Sequence, residues 1–418
     1  MITNKLLTIF PALSYRNYQL YFGGQLISFT GNWLQIVAQG WLVLQLTTSP
    51  FLIGLVAALS TLPFLAFSLF GGVIVDRFPK QKILFFTQLT AMVLALILGS
   101  LTLLNLINIW AVALLAFLLG TVNAIDAPAR QAFTVTMVDK KHLASAISLN
   151  AGIFNGARAI GPSIAGFLIS LIGSGGAFIL NGLGYIASIS AIKKINVEEI
   201  THDSHPHPLR AIQEGVKYTI THPILRTLML FAGITSVFGW SYVTIMPIIA
   251  KQTFGVDATG LGYLYTASGL GALTATIIVS AFSQKIKPVV FIFGGNTIFT
   301  ISMILFSLTS SLTLALPLLF LSGTGLLCQF AITNSTIQHL VEDRYRGRVM
   351  SIYTLVFLGL SPLGSLQIGF ISEHFGTGFA MRAGVIVTYI AALIILLNYG
   401  KIIQSYRAYK EKNSALII

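Results

Sequence analysis

Gly72-Val73-Ile74-Val75-Asp76-Arg77-Phe78-Pro79-Lys80-Gln81-Lys82 places four charges within seven residues, between two long apolar stretches, in a chain that is only 9% charged. Charges packed this densely sit where water reaches them, whereas the flanking runs are long enough to cross a bilayer, which takes about 20 apolar residues each. The stretch therefore reads as a short basic hinge between two membrane spans. Its position fixes the register of everything around it.

Working outward from this hinge, the 418 residues contain twelve apolar runs, near 18–44, 51–75, 83–104, 109–131, 145–170, 177–192, 224–250, 259–283, 288–308, 313–337, 349–371 and 380–400. Composition agrees: 55% of the residues are hydrophobic and the mean hydropathy is +0.84, whereas soluble domains carry about 25% charged residues. The first run is too long and too polar on one face for a cleaved signal peptide. The single cysteine, Cys328, falls inside a run and reads as a packing residue. A net charge of +13 invites a nucleic-acid reading, but its distribution argues for a lipid bilayer. Of the 25 lysines and arginines, 22 fall in segments on one side, two (Lys251 and Arg382) on the other, and Arg158 within a run. That asymmetry predicts cytoplasmic N- and C-termini and sets nucleic acid aside.

Residues 193–223 form the longest polar stretch and divide the chain into 1–192 and 224–418, each with six runs. Within the divider, 195–208 reads as linker and 209–221 as a surface amphipathic helix. His202, Asp203, His205 and His207 belong to that linker and read as solvated side chains, so no metal or cofactor is expected. The two parts align without a gap at an offset of 203 residues. Val138 falls on Val341, Ser148 on Ser351, Gly156 on Gly359, Gly161 on Gly364, Gly166 on Gly369 and Gly173 on Gly376. Earlier in each part an offset of 208 places Gly54 on Gly262, and Asp76 on Gln284 in a degraded second hinge. A shared glycine frame of this kind marks duplication. The predicted architecture is an all-α membrane protein of twelve spans in two parallel six-helix halves around a central pathway.

Several polar residues inside the runs need a purpose. Gln25, Asn32, Gln35 and Gln39 share one helical face of the first span. Amides in lipid must find partners, so this face either bonds to neighbouring helices or lines a cavity. Asn123, Arg158 and Trp240 are further cavity candidates, Arg158 because a mid-span guanidinium needs a partner, a cavity or a snorkelling route. Asp126 is the one carboxylate clearly within a span, with Arg130 four residues on. It is a candidate for proton coupling or for holding a gate, and Arg130 opposes the raised pKa that coupling requires. Gly161-Pro162-x-x-Ala165-Gly166 permits close helix approach and a bend. No phosphate loop, nucleophile elbow or metalloprotease pattern occurs, so no enzyme is expected.

The opening stretch resembles the signature loop of the major facilitator superfamily, with Gly72, Asp76, Arg77, Lys80 and Lys82 on signature positions and Pro79 where a glycine is usual. Gly161, Pro162, Ala165 and Gly166 resemble, in part, the antiporter motif of its exporters. Tyr15-Arg16-Asn17-Tyr18, Gly31-Asn32-Trp33-Leu34-Gln35, Asp126-Ala127-Pro128-Ala129-Arg130-Gln131-Ala132-Phe133 and Arg346-Gly347-Arg348-Val349-Met350-Ser351 are similar to the exporter branch that includes enterobactin-type siderophore exporters and macrolide efflux pumps. The resemblance implies proton-driven efflux by antiport of a bulky amphipathic small molecule, a siderophore or a drug, through a monomer in the bacterial inner membrane. It also implies that an acid at position 126 pairs with the signature arginine, Arg77. The alternatives are an importer of a metabolite or metal chelate, and a polytopic enzyme or sensor that transports nothing.

Overall fold

The computed structural model describes residues 10–197, 208–401 and 404. The histidine cluster at 202–207 lies outside them, as do the side chains of Gly72 and Asp76. Among the described residues the chain is helical, without strands: α1 (Arg16–Leu46), α2 (Pro50–Arg77), α3 (Lys80–Leu103), α4 (Ile109–Thr136), α5 (Leu143–Lys194), α6 (Pro208–Thr221), α7 (Pro223–Ile234), α8 (Tyr242–Ile248), α9 (Ala258–Phe282), α10 (Pro288–Leu308), α11 (Leu312–Leu340), α12 (Asp343–Gly359), α13 (Ser361–Phe375) and α14 (Thr377–Leu397). Twelve spans result. Helix α5 contributes two, broken at Gly173, α7 and α8 form one with the π-helical turns around them, and α12 with α13 form another. Ten described segments are long and apolar enough to cross a membrane. Their outer faces carry large side chains such as Ile277, 70% exposed, which only lipid can cover.

Local chemistry sets the helix ends. Asn108 caps α4 by accepting from the Ala111 N–H at 2.9 Å, and Asp257 caps α9 by accepting from the Gly260 N–H at 3.1 Å. Pro223 and Pro288 occupy first helical positions, where a missing N–H costs nothing. The hinge itself is a two-residue turn, Phe78-Pro79, between α2 and α3. Backbone φ at Pro79 is −55°, a value proline imposes by itself, so its replacement of the usual glycine is accommodated.

The chain groups into two compact units. The first comprises Met1–Thr48, Leu59–Ser204 and Ala250–Thr266; the second Ser49–Ala58, His205–Ile249 and Ala267–Ile418. Each carries a copy of the repeat's devices. Gly173 and Gly376, matched by the 203-residue offset, both take positive φ, +70° and +86°, at the turn between two spans. In the first unit a Cβ on Gly262 would lie 2.6 Å from the Pro162 carbonyl oxygen and 3.3 Å from Cα of Gly166. In the second unit a Cβ on Gly369 would lie 2.8 Å from the Pro50 carbonyl oxygen and 3.2 Å from Cα of Gly54. The same pair of repeat positions thus makes the same close helix crossing twice.

A polar contact flanks each crossing. Ser170 donates to the Asp257 carboxylate at 3.1 Å in one, and Ser49 donates to Glu373 at 2.8 Å in the other. Positions 170 and 373 are 203 apart, and 49 and 257 are 208 apart, so the acid has changed sides between the copies. Hydrogen bonds from Gly260, Ser170 and Thr259 hold the Asp257 carboxyl below the usual aspartate range. Glu373 also accepts from the Phe51 N–H at 3.0 Å, capping α2 from another helix.

Candidate functional site

Inside the first unit, α1, α3 and α4 bring together one buried charged cluster. Asp126 is 5% exposed and one turn before Arg130 on α4, spacing that lets a helical pair meet. Arg130 Nε donates to Asp126 Oδ2, and its Nη1 donates to Gln25 Oε1 of α1. Nη2 reaches the Ser28 hydroxyl at 3.2 Å. The second carboxylate oxygen of Asp126 accepts from the Thr87 hydroxyl at 2.6 Å and from Gln88 Nε2 at 2.9 Å, both on α3. Phe29 lies 5.8 Å beneath the guanidinium, adding a cation–π contact. The carboxylate is therefore matched by a guanidinium, a hydroxyl and an amide.

Other sequence candidates fall in different places. Gln35 is buried and accepts from Asn181 Nδ2 of α5 at 3.0 Å, whereas Asn32 and Gln39 are half-buried and Asn123 is exposed. The polar stripe of α1 is thus shared among a charged cluster (Gln25), an amide pair (Gln35) and two positions with open surface. Asn32→Cys is expected to react with a water-soluble maleimide at least tenfold faster than Gln35→Cys, measured in a Cys328→Ser background; equal rates would show that this burial pattern does not hold in the membrane. Arg158 is half-buried on α5. Arg77 is exposed at the end of α2 and is not among the partners of Asp126, which are Arg130, Thr87 and Gln88. Lys80 is half-buried and Lys82 exposed in the first turn of α3. The Gly161–Gly166 segment packs tightly: a Cβ on Gly161 would lie 2.9 Å from Trp33 Cβ, and one on Gly166 would overlap the Ala258 carbonyl. Ala165 is buried beside them.

Sequence reading passed over Thr87, Gln88 and Ser28. A usable signal existed, because an embedded acid demands donors and α3 offers adjacent Thr87 and Gln88 in a mostly apolar stretch. In the second unit Asn296 donates to Gln329 Oε1 at 2.8 Å, and the ring of Trp240 stands 5.6 Å from Phe357 and 6.4 Å from Phe330.

Residues 8–410 match the family described as transmembrane secretion effector. The chain belongs to that family, within the major facilitator superfamily. It is 26% identical over 364 residues to a staphyloferrin A transporter of Staphylococcus aureus, covering 85% of this chain and 89% of that one. It is 24% identical to the multidrug efflux pump Tap of Mycolicibacterium fortuitum over 88% and 90% of the two chains. To an enterobactin exporter of Escherichia coli it is 20% identical over 90% and 92%. Among solved structures, a bacterial homologue of the human lysosomal transporter Spinster superposes with a TM-score of 0.73 at 15% identity, covering 93% of this chain and 98% of that one. A bacterial homologue of ferroportin gives 0.65 at 14% identity, over 93% and 98%. This chain is therefore a multi-pass membrane transporter of the major facilitator type and not an enzyme.

Proposed function

We propose that this transporter exports a bulky amphipathic small molecule, siderophore-like or drug-like, across the bacterial inner membrane by proton antiport. The observation that supports export is the full-length similarity to relatives whose names state efflux or export while their cargoes differ. Such a spread of cargo fits a scaffold held constant and a binding surface that varies. The closely packed Gly161-Pro162-x-x-Ala165-Gly166 segment agrees with the antiporter motif that exporters carry. On this reading residues 1–192 and 224–418 are the two six-helix halves, 193–223 is a cytoplasmic linker, both termini are cytoplasmic, and a monomer suffices.

The proposal assigns gating to the basic hinge around Asp76, Arg77, Lys80 and Lys82, and gives Asp126 with Arg130 the task of holding α1, α3 and α4 together at that end. Purified protein in liposomes provides the test, with staphyloferrin A and a macrolide as cargoes and a pH-sensitive dye on the opposite side. We expect an imposed proton gradient to drive accumulation of at least one cargo, with dye-reported proton counterflow. Uptake in the same direction as the proton flux would replace export by import. Cargo movement unaffected by the gradient would remove proton coupling.

A further inference from the structure

In each unit the segment before the first span is fastened to the turn that opens a later helix, and the two fastenings differ in chemistry. In the first unit Pro11–Ser14 forms one turn of 3-10 helix ahead of α1. The Ala12 N–H donates to the Ser145 hydroxyl at 3.3 Å. The Tyr15 hydroxyl donates to Asp139 Oδ2 at 2.7 Å and stands 2.9 Å from His142 Nδ1. The two rings meet edge-on, with centroids 5.7 Å apart. Asp139 and His142 lie in the turn between α4 and α5, and His142 is the residue that precedes α5.

The 203-residue offset carries Tyr15, Asp139, His142 and Ser145 onto Tyr218, Glu342, Tyr345 and Arg348. The second unit makes the matching contact without a histidine. Tyr218 of α6 stacks on Tyr345 at 4.4 Å, and Arg348 donates to Glu214 at 2.5 Å. Phenols, guanidinium groups and carboxylates keep one charge state around neutral pH. Burial also pushes the pKa of the neighbouring His222 down, away from that range.

Proton counting separates the two fastenings. A tyrosine hydroxyl has one proton to give, and that of Tyr15 goes to Asp139. This bond pushes the Tyr15 pKa up, so the hydroxyl keeps its proton. The contact with His142 is then a hydrogen bond only if Nδ1 carries a hydrogen. Protonated imidazole always meets that condition; neutral imidazole meets it in one of its two tautomers, and in the other its lone pair competes with Asp139 for the hydroxyl proton. We propose that Tyr15, Asp139 and His142 form a pH-sensitive clamp between the entry of α1 and the start of α5, closed when His142 is protonated. The closed chain runs from the imidazolium through the hydroxyl to the carboxylate, with opposite charges at its ends. The positive end of α5, equivalent to about half a charge, opposes the proton, but Asp139 brings a full negative charge. Lys140, Lys141 and Arg16 are exposed, where salt screens them, and Lys141 is also 3.8 Å from Asp139. Helix α5 has no charged side chain before Arg158. The clamp is therefore complete at low pH and loosens as the pH rises through the range of histidine, about 5 to 8.

The test uses the purified full-length protein in detergent and needs no cargo. Hydrogen exchange read by mass spectrometry, corrected for the intrinsic pH dependence of amide exchange, reports how firmly residues 11–19 are held. Between pH 8 and pH 6 their protection should rise about threefold, the scale of one exposed charge-assisted contact. His142→Asn keeps an N–H donor near the place of Nδ1 at every pH and should stay protected at both. His142→Phe keeps the ring contact and loses the nitrogen, so it should exchange fast at both. Tyr15→Phe leaves His142 free to titrate and should also abolish the response. Residues 213–218, the matched segment, should show no such change. A pH response that survives in His142→Phe or Tyr15→Phe would overturn the clamp, as would a wild type without one. Fast exchange in His142→Asn, equal to that of His142→Phe, would show that the donated hydrogen does not close it.

Discussion

Arg130→Met should be the most damaging single substitution in the first unit, and Asp126→Asn with Arg130→Met together should be less damaging than Arg130→Met alone. Removing the guanidinium leaves the Asp126 carboxylate, with 7% of its side chain exposed, facing only Thr87 and Gln88. Breaking a buried pair from one side costs about 3–5 kcal/mol, because the remaining charge is uncompensated. Asp126→Asn strands the other charge less severely, since Arg130 keeps Gln25 and Ser28 as acceptors. Folded yield and thermal midpoint in detergent should therefore rank wild type, Asp126→Asn, the double variant, then Arg130→Met. A double variant no better than Arg130→Met would show that the pair does not act as a unit. Functionally, Asp126→Asn should lower downhill cargo exchange and proton-driven accumulation together, because a clamp serves every step of the cycle. If exchange survives and only proton-driven accumulation is lost, Asp126 carries the proton and its structural role is secondary.

The twelve spans were legible in the sequence because each demands a long apolar run, and the duplication because glycine positions persist where backbones touch. Gly166 and Gly369 fell into one register before any contact was known, and both proved to sit against the first turn of another helix. Interior polar groups were harder to place. The four amides of α1 share one face, yet Gln25 serves an arginine, Gln35 serves an asparagine and Asn32 has open surface. Periodicity gives a direction around a helix and says nothing about which neighbour stands there. Arg130 was visible only as a residue opposing proton coupling. Its reach to Gln25 and Ser28 depends on how α1 packs beside α4, which no local pattern encodes. The switched acid at Asp257 and Glu373 was available from the two offsets, but only to a reader already comparing helix caps across the repeat.

The second large effect concerns the repeated glycine crossings. Gly166→Ala and Gly369→Ala should each destabilise the protein, and by similar amounts, whereas Gly294→Ala should be neutral or stabilising. A Cβ at Gly166 overlaps the Ala258 carbonyl oxygen and comes within 3.0 Å of Cα of Thr259. At Gly369 it meets the Pro50 carbonyl oxygen at 2.8 Å and Cα of Phe51 at 3.3 Å. These neighbours are backbone atoms at helix starts, so they cannot swing aside as a side chain would. Overpacking of this kind costs about 1–3 kcal/mol, more than the roughly 1 kcal/mol that alanine gains over glycine in a helix. At Gly294 nothing lies within 4 Å, and only the propensity gain remains. Thermal midpoints of the three purified variants decide the matter, with transport rates at matched protein amounts as the second readout. A harmless Gly369→Ala beside a crippling Gly166→Ala would mean that only one crossing is tight in the membrane. The duplication would then persist in sequence register without persisting in packing, and the matched glycines would lose their shared physical reason.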